Sequence, residues 1–151
     1  MTTAAWAPPT ERLGQVRAFM SERVLPNEHL LDREDDEAEA LVAELQDEVR
    51  ELGLWAPHVP PEAGGTGTGF LDYAYLNEQI GLTVWGQLIF GCQAPDAGNA
   101  EILHLFGTED QKARWLYPLV AGQVRSFCSS VPNMCRISAL PASGAWQPKT
   151  S

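Results

Sequence analysis

Gly107 to Ser126 reads G-T-E-D-Q-K-A-R-W-L-Y-P-L-V-A-G-Q-V-R-S, and this stretch is written as a turn between two helices. Gly107 suits the end of one helix and Thr108 the start of the next. Gln111, three residues after Thr108, completes a T-x-x-Q capping box, in which hydroxyl and amide side chains satisfy each other's backbone N–H groups. From Glu109 the helix is expected to run to about Ala121, with Trp115, Leu116 and Leu119 inward and a kink at Pro118. Just upstream, A-P-D-A-G-N (Ala94 to Asn99) places Asp96 where it caps or opens a helix through Phe106 that carries Ile102, Leu105 and Phe106.

Further out, the same periodic logic applies. Leu13, Val16, Met20 and Val24 recur at steps of three and four, an amphipathic stripe expected to end before Pro26. Asn27 to Asp36 reads as a polar, acidic connector. Leu41, Leu45, Val49 and Leu52 lie on one face of a helix from about Asp36, with Gly53 as its stop. Tyr73, Leu76 and Ile80 mark another helix before Gly81. Leu82 to Cys92 is largely apolar and is expected to be buried on most sides. Gly65, Gly67 and Gly69 alternate with threonines between Leu54 and Gly69, but the spacing is not G-x-G-x-x-G and no buried strand precedes it. A turn-rich connector is the simpler reading. No run alternates long enough to define a strand. The expected fold is all-α, a bundle of about six helices over residues 10–126, between a flexible arm (residues 1–9) and a short irregular tail.

Three elements together resemble the acyl-CoA dehydrogenase family: E-L-G-L-W-A-P-H-V-P-P-E-A-G-G (Glu51 to Gly65), A-P-D-A-G-N, and the G-T-E-D-Q-K to G-Q-V-R-S block. The A-P-D-x-G-N element is similar to that of family members 10 and 11. The resemblance covers roughly residues 10–126 and implies the family's N-terminal helical domain. It further implies FAD as cofactor and acyl-CoA thioesters as substrates, with a glutamate removing the α-proton while hydride leaves the β-carbon for the flavin. In the family that glutamate and most flavin contacts belong to the two domains that follow, so no catalytic or cofactor-binding residue is expected here. After Ser126 the likeness stops. Residues 127–151 lack the apolar strand and M-T-E segment of the family, which suggests a shifted or interrupted reading frame. They are expected to be poorly ordered.

Composition bounds the alternatives. A net charge of −10 disfavours nucleic acid as a partner. The charge is uneven: no Asp or Glu follows Asp110, whereas Lys112, Arg114, Arg125, Arg136 and Lys149 do. That basic third could accept the phosphates of a CoA ester, although ordinary surface gives a similar count. No apolar run reaches the roughly 18 residues of a membrane span, and the N-terminus has no signal-peptide pattern, so a cytoplasmic chain is expected. Cys92, Cys128 and Cys135 have no C-x-x-C spacing, and His29, His58 and His104 no i, i+4 pairing, so neither a disulfide framework nor a metal site is expected. Glu62, Glu78, Asp96, Glu101 and Glu109 are each explained by loops, caps or exposed faces.

One stretch remains as a candidate for ligand contact. By the resemblance, Phe90 to Asp96 corresponds to a wall of the acyl pocket, with Phe90, Cys92 and Gln93 as candidate lining residues. The competing reading is that these are core and connecting residues. Two functions follow: the N-terminal domain of an FAD-dependent acyl-CoA dehydrogenase, incomplete and inactive as a single chain, or a non-catalytic all-α interaction module. The module would pair with separately encoded middle and C-terminal domains, or with itself, through apolar surface around Leu82 to Cys92, Trp85, Phe90, Trp115 and Tyr117.

Overall fold

A computed structural model describes residues 10–33, 35–128 and 135–139. The expectations of a flexible arm over residues 1–9 and of an irregular tail over 129–134 and 140–151 lie outside the described residues. The chain divides into two compact units, one of Met1–Trp55 with Thr68–Phe90 and one of Ala56–Gly67 with Gly91–Ser151. The described residues are helical apart from loops and one β-hairpin.

In the first unit, α1 (Thr10–Phe19) continues through a π-helical turn, Met20–Val24, and a 3-10 turn, Leu25–Asn27, into the short α2 (Glu28–Leu31). The expected stripe is buried: Leu13, Val16, Met20 and Val24, each contributing about 1.5–3 kcal/mol by leaving water. The helix does not stop before Pro26, however. Leu25 N–H reaches back five residues to the Met20 carbonyl, and Pro26 sits in the first turn of the 3-10 segment, where its missing N–H does no harm. Asn27 Nδ2 donates to the Arg23 carbonyl at 2.7 Å, supplying a partner that the interrupted ladder would withhold. The supposed polar connector therefore contains a helical turn, and its Leu31 is wholly buried. Glu28 accepts from the Thr83 hydroxyl and Asp32 Oδ1 from Trp85 Nε1 at 2.7 Å, so two of its acids pin residues 83–85.

Asp35 caps α3 (Asp36–Glu51) by accepting from Ala38 N–H at 3.0 Å. Gly53, at φ +67°, closes it as read from sequence, with Gly53 N–H on the Arg50 carbonyl and Leu54 N–H on the Val49 carbonyl. That bonding pattern is a Schellman motif, and Val49 and Leu54 are both buried beside it. Leu45 and Val49 face inward as expected, whereas Leu52 is 48% exposed because it lies past the last full turn. Arg23 bridges Glu44 and Glu48 of α3, and Arg50 stacks 3.7 Å over the Trp55 ring.

Helix α4 (Phe70–Ile80) buries Leu76 and Ile80, and α5 (Val84–Ile89) is capped by Thr83. Gly86 lets α5 approach the end of α4, since a Cβ there would lie 2.0 Å from the Ile80 carbonyl oxygen. The apolar run is less enclosed than its composition suggests: Ile89 and Phe90 are buried, but Leu82 is 59% and Val84 82% exposed. The cap places both at the outer corner of the α4–α5 turn.

The second unit holds the loop Ala56–Gly67 with α6 (Asp96–Phe106), α7 (Glu109–Gln111), a π-helical turn Lys112–Leu116 and α8 (Tyr117–Val120). The Thr108 capping box forms as read, with Gln111 N–H to Thr108 Oγ1 at 3.3 Å and Thr108 N–H to Gln111 Oε1 at 2.8 Å. Leu116, Leu119 and Val120 are buried and Trp115 is half-buried. Pro118 is accommodated as Pro26 is, by a π-helical turn ending two residues earlier, with Tyr117 N–H on the Lys112 carbonyl. Residues 124–139, in which no strand was expected, hold β1 (Val124–Cys128) and β2 (Cys135–Ala139), paired antiparallel from Val124↔Ala139 to Cys128↔Cys135. Strands this short carry too little alternation to be recognised alone.

Candidate functional site

The candidate residues fall on both sides of the unit boundary. Phe90 belongs to the first unit, where it is fully buried with its ring edge-on to Phe19, centroids 5.6 Å apart at 88°. Cys92 and Gln93 belong to the second unit and lead into α6 through the cis Ala94–Pro95 bond. Cys92 is 4% exposed.

Around Gln93 the structure assembles a polar cluster. Gln93 Nε2 donates to Asp96 Oδ2 at 2.7 Å, and Arg125 Nε, from β1, donates to the same oxygen at 2.9 Å. Asp96 is 9% exposed, and its charge is offset by the guanidinium, as a buried carboxylate requires. Two buried side-chain atoms nearby in sequence have no hydrogen-bond partner: Gln93 Oε1, an acceptor, and Asn99 Nδ2, a donor. The Asp96 ion pair fixes the Gln93 amide with its oxygen left over. The sequence reading missed Arg125. An aspartate at a helix start is accounted for locally by the helix itself, so nothing in the spacing calls for an arginine or says which one supplies it.

The remaining carboxylates sit where the simpler reading put them. Glu62, Glu78, Glu101 and Glu109 are exposed, with Glu62 3.9 Å from His104 Nε2 and Glu109 3.1 Å from Lys112 Nζ. In the same unit, burial pushes the His58 imidazole down to about 4. Among the described residues no group of His, Cys, Asp or Glu is placed to hold a metal ion, and no helix is long and apolar enough to cross a membrane.

The glycine-rich loop offers no phosphate cradle. Its amides turn inward: Gly65 N–H to the Pro60 carbonyl at 3.2 Å, Thr66 to Ala56 at 3.4 Å and Gly67 to Val59 at 2.9 Å. With those donors spent, the Gly65–Gly67 amides are not available to wrap an anion. The polar cluster around Gln93 also fits FAD poorly. At the cluster itself, one spare amide oxygen, one spare amide N–H nearby and an arginine committed to Asp96 do not supply the several amides and free cation that a flavin and its pyrophosphate need.

The exposed apolar side chains match those expected in part, with Leu82 and Val84 exposed. Phe90 is buried, Trp85 and Trp115 are half-buried, and Tyr117 is exposed. Ile102, Leu105 and Phe106 are 59%, 60% and 80% exposed, on the face of α6 turned away from buried Asp96 and Ala100.

The helical part of this chain matches a known family. Residues 11–123 match the acyl-CoA dehydrogenase N-terminal domain. The chain is 37% identical over 136 residues to acyl-CoA dehydrogenase family member 10 of Mus musculus, covering 83% of this chain and 13% of that protein. It is 33% identical over 141 residues to family member 11 of Homo sapiens, covering 85% and 17% respectively. A solved structure assigned as an acyl-CoA dehydrogenase from Mycobacterium abscessus is similar at a TM-score of 0.67 and 32% identity, over 85% of this chain and 36% of that one. The chain belongs to the acyl-CoA dehydrogenase family. It spans less than a fifth of the length of the two mammalian relatives.

Proposed function

We propose that this chain acts as the N-terminal helical domain of an FAD-dependent acyl-CoA dehydrogenase, supplying one wall of the acyl-thioester site, and that α,β-dehydrogenation requires further domains. The observation that carries this reading is the family match over residues 11–123 together with the much greater length of the relatives. In this reading FAD is bound by the other domains, whether encoded on the same or a separate chain, and the chain alone is inactive. Within the domain, Asp96 and Arg125 hold Gln93 in place and leave Gln93 Oε1 as a fixed acceptor beside the acyl site, with Cys92 as apolar lining and Phe90 as packing in the first unit.

The test is visible absorbance of the purified chain incubated with FAD, before and after a long-chain acyl-CoA is added. The chain alone stays colourless. With protein supplying the middle and C-terminal family domains, a flavin band forms and bleaches on adding substrate. Bleaching by the chain alone would overturn the reading. One observation favours the second function, a non-catalytic interaction module: the exposed α6 face of Ile102, Leu105 and Phe106. Sedimentation of the wild type against a Phe106→Glu variant separates the two. Self-association abolished by the substitution, in a chain that never takes up flavin even with the other domains, supports the module.

A further inference from the structure

The hairpin brings together two cysteines that the sequence keeps apart. Cys128 and Cys135 are directly opposed, as the last pair of the β1–β2 ladder before the connecting residues. Opposed residues on antiparallel strands have Cα atoms about 4.5 or 5.5 Å apart, according to the type of pair. Disulfides join Cα atoms roughly 4.4–6.8 Å apart. Either type of pair is inside that window, so the register alone brings the two backbones within bridging range. A slip of one residue would set Cys128 against Arg136 instead. The third cysteine, Cys92, is buried in the segment that leads into α6.

We infer that Cys128 and Cys135 form a reversible cross-strand disulfide that clamps the β1–β2 hairpin, made by exchange with a small-molecule disulfide such as oxidised glutathione. One cysteine thiolate attacks a sulfur of the small disulfide and expels one small thiolate. The second cysteine thiolate attacks the protein sulfur of the resulting mixed disulfide and expels the other. The two cysteines together give up two protons and two electrons, and the small disulfide becomes two thiols. A two-stranded ribbon is marginal in water by itself. A bridge at its loop end restricts the unfolded ensemble of the connecting residues, so the hairpin is firmer when oxidised and looser when reduced. This does not depend on the dehydrogenase reading, because the register and the thiols are its only premises.

The test is equilibration of the full chain in glutathione buffers of graded potential, followed by alkylation, intact mass and peptide mapping. The expected oxidised species is monomeric, lighter by two hydrogens, with one peptide joining Cys128 to Cys135 and Cys92 alkylated only after denaturation. Cys135→Ser leaves Cys128 carrying a glutathione adduct. A control, Cys135→Ser with Arg136→Cys, moves the second thiol one residue out of register. Its bridge is expected to be at least about tenfold less favourable, about 30 mV for a two-electron couple. Two free thiols at Cys128 and Cys135 in excess oxidised glutathione, a bridge to Cys92, or an off-register pair equal to the native one would each overturn the inference.

Discussion

Replacing Gly65 by alanine tests whether the Ala56–Gly67 loop is a built structure or a passive connector. The Gly65 φ is not in the left-handed region, so the backbone conformation alone does not demand glycine. Space does: a Cβ would lie 2.1 Å from the Val59 carbonyl oxygen, 2.6 Å from that of Ala56 and 2.6 Å from Val59 Cβ. These are not the ends of flexible side chains. Both carbonyls also accept loop hydrogen bonds, from Gly67 and Thr66 respectively, so moving them aside weakens what closes the loop. Overpacking costs about 1–3 kcal/mol, and each weakened hydrogen bond about 0.5–1.5 kcal/mol. The expected loss for Gly65→Ala is therefore about 2–6 kcal/mol. Gly14 is the internal control: it is exposed in α1, a Cβ there meets nothing within 4 Å, and Gly14→Ala should gain about 0.5–1 kcal/mol. Urea unfolding followed by far-ultraviolet circular dichroism reads both as midpoint shifts at constant slope. If Gly65→Ala unfolds within about 0.5 kcal/mol of wild type, or Gly14→Ala is equally damaging, the close-approach argument is wrong.

Asp96→Asn should cost about 1–3 kcal/mol, because it removes the charge that Arg125 pairs with while leaving the guanidinium half-buried; thermal unfolding of this variant beside Arg125→Met would show whether the two losses overlap, and fully additive losses would deny the pairing. Thr108→Ala should cost about 1 kcal/mol by opening the capping box, read as a melting shift that Thr108→Ser largely restores. For His58 the folded value of about 4 lies below the ordinary 6.5, so between those pH values the unfolded chain holds a proton that the folded chain does not. Stability should therefore rise with pH across that window, by something on the order of 1–3 kcal/mol after allowance for partial exposure. His58→Gln should flatten the slope of unfolding free energy against pH, and an unchanged slope would remove His58 as its source.

The features legible in the sequence are those whose cause lies within a turn or two of chain. The Thr108–Gln111 capping box, the stop at Gly53 and the inward stripe Leu13, Val16, Met20 and Val24 each depend on neighbours three or four residues away. Local rules also misled where two local answers compete. Pro26 reads as a break and Pro118 as a kink, yet a π-helical turn before each shifts the hydrogen-bond ladder so that the missing N–H is not needed. Apolar composition fixed neither exposure nor partner: Leu52, Leu82, Val84, Ile102, Leu105 and Phe106 stand in solvent, at corners or on faces that periodicity alone cannot orient.

From its residues alone this chain was recognisable as a helical member of its family, because caps, stripes and motif spacings are short-range and survive without knowledge of the fold. What tertiary structure decided is every pairing between distant residues: Gln93 and Arg125 on one oxygen of Asp96, Asp32 on Trp85, the inward-bonded amides of the glycine loop, and Cys128 opposite Cys135. Such pairings depend on how helices and strands pack and register. A charged, amide or thiol side chain in sequence announces a need for a partner, and only the folded path of the chain supplies one.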